Sequence, residues 1–172
     1  MSRRRTALLA AGVAAAVLAA DQATKAIVRA SIARGERIEV LPGLHLVNTR
    51  NTGIAFGLFS QGGALLAAVA VAALLGLLAF FLTHLDRRLV WLPTGLLIAG
   101  AAGNLIDRAR EGAVTDFIDL PLWPAFNVAD SAITIGVLTL LYVLEGPPAR
   151  RSEPARGRRP EPVEGKASGG GG

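Results

Sequence analysis

The polar residues of this sequence that could do chemistry are few, and they come in pairs. Asp21 and Lys25 stand four apart in "DQATK", and Asn104 and Asp107 three apart in "GNLIDR". Asp116 and Asp119 are three apart in "VTDFID", and Asn127 and Asp130 three apart in "FNVAD". On a helix, spacings of three or four place both side chains on one face. Asp130 is the most demanding of these residues. It opens the apolar run "SAITIGVLTLLYVL", and a carboxylate in or beside a bilayer is costly without a function or a partner.

Two carboxyl groups held close together can share one proton. Like charges at short range do not both ionise readily, so one pKa rises. The ionised partner can then deprotonate a water. The protonated partner can donate to a scissile carbonyl and later help protonate the leaving amine. Asp116 and Asp130 suit such a hydrolase, although by residue type Asp107 and Asp119 are equal candidates. A Ser131 nucleophile with Lys25 as its base is a weaker reading. His45 has no clear partner and His84 lies toward the opposite end of the spans, which disfavours a Ser-His-Asp arrangement. Asp107, Asp116 and Asp130 have the atom types for Mg²⁺, but no histidine joins them in sequence, and no metal or other cofactor is expected. The absence of cysteine excludes thiolate catalysis, a disulfide framework and cysteine-ligated metal.

The elements that must position these residues are read as membrane helices. Of 172 residues, 52% are hydrophobic and only 18% charged, which points to a membrane protein. Four apolar segments stand out: Thr6 to Ala20 with a continuation toward Ala33, Gly63 to Thr83, Leu89 to Ile106, and Asn127 to Leu144. Each approaches the ~20 residues that a helix needs to cross the hydrocarbon. The first has a rival reading, since its basic start, apolar centre and small residues before Asp21 resemble a cleavable signal peptide. Three later spans and the polar motif that follows favour a retained anchor.

Four spans put both termini on one side. Placing that side in the cytoplasm puts eleven of the 18 Lys and Arg residues there, as the positive-inside rule asks. The net charge of +5 is therefore read as membrane orientation, with no nucleic-acid partner. The expected outer loops lie at 30–60 and 107–126. In the first, Ile38, Val40, Leu44 and Leu46 alternate around Pro42-Gly43, which predicts a short hairpin. Trp123 precedes the last span, where an interfacial aromatic belongs. Gly100 and Gly103 with Ala101 and Ala102 predict close helix packing. Residues 1–5 form a cytoplasmic tail, 6–144 the membrane domain, and 145–172 a disordered basic cytoplasmic tail rich in Pro and Gly.

An ion transporter would want polar groups along a whole path, whereas these gather at one end of the spans. A metal-dependent lipid phosphotransferase would want a metal and usually cytoplasmic access. The ordered set "DQATK" (21–25), "NTRNTGIAFG" (48–57), "GNLIDR" (103–108), "VTDFID" (114–119) and "FNVADSAITIG" (126–136) resembles lipoprotein signal peptidase, the signal peptidase II family of bacterial aspartic endopeptidases. The resemblance spans about residues 6–144. It implies an all-α membrane protein, a four-helix bundle with a small extracytoplasmic β-cradle, in the bacterial inner membrane. It also implies cleavage of diacylglyceryl-modified prolipoproteins just before the lipid-bearing cysteine. By motif position, it places the catalytic aspartates at Asp116 and Asp130. It places supporting residues at Asp21, Lys25, Asn51, Asn104, Asp107, Arg108 and Asn127. The expected partners are prolipoprotein substrates and membrane lipid, with the enzyme acting as a monomer.

Overall fold

The structure, a computed structural model, describes residues 2–52, 72, 75–84 and 89–145. Most of the second expected span, Gly53 and Gly57 of the first loop, residues 85–88 and the tail from 146 onward lie outside that set.

Helix α1 spans Arg3–Ser31 and starts where the Ser2 side chain accepts from the Arg5 amide, a standard N-cap. Strands β1 (Arg37–Leu41) and β2 (Leu44–Asn51) follow. They form the antiparallel hairpin expected around Pro42-Gly43, with Gly43 at a φ of 80°. Residues 75–83 are helical (α2). Helix α3 spans Trp91–Glu111 and stops at Gly112 in the left-handed conformation, which glycine adopts without a Cβ penalty. Strands β3 (Val114–Leu120) and β4 (Trp123–Phe126) lead into helix α4 (Val128–Glu145). The four strands make one antiparallel sheet in the order β1-β2-β3-β4.

The helices meet through small residues. A Cβ on Gly95 would fall 2.8 Å from the Ala10 carbonyl of α1, and one on Gly100 would fall 2.5 Å from the Ala129 carbonyl of α4. Gly103 lies just as close to the Asp21 carboxylate, 2.5 Å from a notional Cβ. The predicted small-residue packing of α3 is therefore present, and it brings α1 and α4 onto opposite flanks of one helix. The side of α4 facing that contact carries Ala129, Ala132 and Gly136, all buried.

Large apolar side chains crowd the exterior, while polar ones share the interior with two small apolar clusters. Leu8, Ile27, Leu138, Leu141 and Tyr142 are each more than half exposed. Inside, Lys25, Asp21, Thr6, Thr94 and Asn127 are fully buried. An apolar exterior with charged and polar groups buried inside suits helices solvated by lipid. Among the described residues, α1 and α4 are long and apolar enough to cross a membrane.

Two expectations need correction. The stretch "VTDFID" is a strand, so the helical pairing of Asp116 with Asp119 fails. Side chains three apart on a strand point to opposite faces, and Asp116 is buried while Asp119 is partly exposed. Helix α3 also continues five residues past Ile106, and the rest of the segment 107–126 is mostly sheet rather than open loop.

Candidate active site

The site is built at the N-terminus of α4. Asn127 and Asp130 cap that helix reciprocally: the Asp130 amide donates to Asn127 Oδ1 at 2.9 Å, and the Asn127 amide donates to Asp130 Oδ2 at 3.3 Å. This is the logic of a capping box, with two orphan N–H groups satisfied by side chains. A third helix amide, that of Ala129, donates to Asp21 Oδ1 at 2.9 Å. An acidic group in the first turn also suits the positive end of the helix dipole.

The cap fixes more than the helix. Because Asn127 Oδ1 is occupied by an N–H donor, its amide nitrogen must face the other way. There it donates to Asp116 Oδ1 at 2.7 Å. Asn127 therefore bridges the two aspartates, one on strand β3 and one on helix α4. Asn51, at the end of β2, donates to the second oxygen of Asp116 at 3.0 Å. Asn104 of α3 donates to Asp130 Oδ1 at 2.8 Å. Each of the four carboxyl oxygens thus accepts one N–H. Strand register supplies the remaining alignment, with Thr49 opposite Asp116 and its hydroxyl donating to the Asp116 carbonyl.

A second acidic pair lies beneath the first. The Lys25 ammonium contacts Asp21 at 2.9 Å, Asn104 Oδ1 at 3.0 Å and Asp107 at 3.3 Å. Its three protons match three acceptors. Asp107 also accepts from the Thr115 amide at 3.1 Å and lies 3.8 Å from Arg29. The i,i+4 pairing of Asp21 with Lys25 is present as expected, at full burial.

Burial is the main cause that lifts the Asp116 carboxyl from an ordinary 3.8 to about 6. The nearby Asp130 charge adds to it, while the hydrogen bonds from Asn51 and Asn127 and the Lys25 charge oppose it. A cavity of about 500 Å³ opens beside Asp130, walled by Trp123, Phe126, Thr134 and Ile135. Its apolar wall meets the carboxylate at one edge.

Of the residues singled out in the sequence, Asp21, Lys25, Asn51, Asn104, Asp107, Asp116, Asn127 and Asp130 join one hydrogen-bonded network. Arg108 touches it weakly, through a 3.5 Å contact to the Asn104 carbonyl, and its buried Nε has no partner among the described residues. Asp119 stands apart, paired with Arg37 at 2.8 Å. Ser131 donates to the Asn127 carbonyl at 3.0 Å, while the Lys25 protons are taken by other groups. His45 lies beside Arg37. Among the described residues, no three of His, Cys, Asp and Glu converge as metal ligands.

Sequence reasoning missed Gln22 and Thr115. The Gln22 amide donates to Asp21, to the Gly103 carbonyl and to Asp107, and Thr115 links Arg29 to the Asp107 side. The position of Gln22 within "DQATK", next to Asp21, was the available signal. Thr115 gave none, since its role depends on the strand.

Comparison with known proteins agrees with this arrangement. The sequence model of the family described as signal peptidase (SPase) II matches residues 13–145. The chain is similar to a protein of Dehalococcoides mccartyi named lipoprotein signal peptidase, 44% identical over 133 residues, covering 73% of this chain and 82% of that protein. A protein of the same name from Moorella thermoacetica is 42% identical over 130 residues, covering 74% and 87%. A solved structure described as a bacterial membrane enzyme superposes with a TM-score of 0.74 at 35% identity, covering 78% of this chain and 91% of the other. A second so described gives 0.74 at 33% identity, covering 84% and 92%. With a family match over most of its length and relatives above 40% identity, the chain belongs to the signal peptidase II family of membrane peptidases.

Proposed function

We propose that this peptidase removes the signal peptide from diacylglyceryl-modified prolipoproteins, cutting just before the lipid-bearing cysteine, and that Asp116 and Asp130 are its catalytic dyad. The observation that carries the reading is the Asn127 bridge, which binds both carboxyl groups through one side chain and one amide. No cation contacts either carboxylate among the described residues, so the pair can hold a shared proton.

Burial favours the proton's residence on Asp116. Asp130, at the helix N-terminus and beside the cavity, takes the ionised role. It accepts a proton from a water as that water attacks the scissile carbonyl carbon. Asp116 donates a hydrogen bond to the developing oxyanion. Collapse of the tetrahedral species breaks the C–N bond, and the proton held by the dyad passes to the leaving amine. Asn51, Asn104 and Asn127 orient the carboxyl oxygens. Asp21, Lys25, Asp107 and Arg108 form the support beneath them.

The substrate reaches this site from lipid, and the apolar cavity beside Asp130 suits its apolar part. We read the chain as a four-span bundle of the bacterial inner membrane, with residues 75–83 part of the second span and both termini cytoplasmic. The sheet then lies on the extracytoplasmic side as the β-cradle. One chain holds both aspartates, so a monomer suffices.

The test is prolipoprotein processing in cells lacking their own enzyme. Asp116→Asn and Asp130→Asn should each lower the cleavage rate at least about a thousandfold, with the protein still present in the membrane. Normal cleavage by either variant would sink the assignment.

A further inference from the structure

Helix α1 is basic at both ends. Arg3, Arg4 and Arg5 begin it, and Arg29 and Arg34 stand at and just past its other end. The positive-inside rule accounts for one such cluster, whichever end is cytoplasmic. The other opposes insertion and needs a separate reason.

The second cluster closes on a cavity. A recess of about 170 Å³ lies between the end of α1, strand β2 and the end of α3, and Arg29, Arg34, Arg50, Asn48, Glu111 and Thr115 line it with polar groups. Three arginines and one glutamate are among its lining residues, and Arg34 and Arg50 are exposed. Arg29 is partly engaged, with Thr115 at 3.1 Å and Asp107 at 3.8 Å. Arg50 donates to the Glu111 backbone carbonyl rather than to a carboxylate oxygen. Arg34 makes no hydrogen bond or ion pair among the described residues. Converging like charges repel, and their arrangement is relieved by an anion with several acceptor oxygens. Guanidinium forks match phosphate oxygens in that way. The depth also fits, because the recess sits at the end of a helix long enough to cross the bilayer, where lipid headgroups lie.

We propose that this recess binds a phosphate group, through Arg34 and Arg50 with Arg29 behind them. A phospholipid headgroup and free inorganic phosphate share that chemistry. Bound as a headgroup, it would set the depth of the sheet at the membrane surface. The inference rests on α1 crossing the membrane and is independent of the aspartate assignment.

The test uses the full chain in a neutral maltoside detergent. Binding of phosphatidylglycerol is titrated by native mass spectrometry, and inorganic phosphate alone by calorimetry. Arg34→Gln/Arg50→Gln is compared with Arg4→Gln/Arg5→Gln, which removes the same charge at the opposite end. Thermal unfolding checks that both variants are folded. Loss of two headgroup contacts should weaken phosphatidylglycerol binding by about tenfold or more, while the control pair keeps it. If inorganic phosphate binds and is lost in the same variant, the site takes the free anion. Equal weakening in both variants would show diffuse charge attraction and overturn the proposal. Retention of both ligands by Arg34→Gln/Arg50→Gln would overturn it too.

Discussion

Two pairs of aspartates share one network, and they are treated in opposite ways. Asp21 and Asp107 hold the Lys25 ammonium between them at 2.9 and 3.3 Å, with Arg29 near the second. Among the described residues, Asp116 and Asp130 receive only amide donors, from Asn51, Asn104, Asn127 and the backbone. The first pair is charge-compensated and works as a clamp joining α1 to α3. The second is solvated without being neutralised, so a proton is its natural counter-charge. The first arrangement suits a structural role, and the second suits the catalytic role proposed for it. Asn104 connects the two, since its Oδ1 accepts from Lys25 and its Nδ2 donates to Asp130.

The largest way to break this contrast is to remove the cation. Lys25→Met would leave Asp21 and Asp107 buried without their main partner. Losing one member of a buried ion pair costs about 3–5 kcal/mol. The expected outcome is loss of folded protein from the membrane, or a fall of many degrees in the unfolding midpoint in detergent. Asp116→Asn, in contrast, should keep the midpoint near the parent value or raise it, because it removes a carboxyl whose ionised form burial disfavours. A midpoint that falls equally in both variants would dissolve the distinction.

The pH dependence sharpens it. The Asp116 carboxyl is raised from 3.8 to about 6, so the folded protein binds this proton more tightly than the unfolded chain. The stability it contributes is fully present below about 3.8 and is lost as pH rises through about 6. The proposed acid form of Asp116 is lost over the same range. Cleavage should therefore decline above pH about 6, roughly tenfold per unit where a single proton controls the rate. The stability change between pH 4 and 6 should vanish in Asp116→Asn. A flat rate between pH 6 and 8 would remove Asp116 from the acid role.

Much of this was legible in the sequence because it depended on helices. Asp21 with Lys25, Asn127 with Asp130, and the small residues at Gly100 and Gly103 are all local spacings, and the helix period turns them directly into geometry. The Pro42-Gly43 hairpin was legible for the same reason, since a turn is local too. What failed was "VTDFID". Its three-residue spacing looked helical, but pairing with β2 made it a strand, and that pairing joins residues about 65 apart in the chain, as the Asn51 contact to Asp116 does. For the same reason, Asp116 could not be separated from Asp119 and Asp107 by residue type. Asp119 differs by the strand face it occupies, and Asp107, on α3, by its pairing with Lys25.

A smaller test addresses the contact that lets the clamp form. A Cβ at Gly103 would lie 2.5 Å from Asp21 Oδ2, closer than van der Waals contact permits. Gly103→Ala must push the Asp21 carboxylate away, disturbing both Lys25 and the Ala129 amide that Asp21 caps. Overpacking of this kind costs about 1–3 kcal/mol. The unfolding midpoint should fall by less than in Lys25→Met, and cleavage should weaken in step. An unchanged midpoint would mean that α1 and α3 separate freely here.

The smallest effect belongs to the other end of β3. Asp119 has the same residue type as Asp116 and lies three positions away, but its partner is the half-exposed Arg37 at 2.8 Å. Exposed ion pairs are typically worth about 0.2–1 kcal/mol, so Asp119→Asn should shift the unfolding midpoint only slightly and leave cleavage near the parent rate. Strand alternation puts the two side chains on opposite faces, and Asp119 also lies toward the end of β3, where burial gives out. The alternation turns Asp116 into the protein toward Asn127 and turns Asp119 out toward Arg37. Loss of cleavage in Asp119→Asn comparable to that in Asp116→Asn would mean that the two side chains share a face after all, and that the register of β3 against β2 is not the one that aims the dyad.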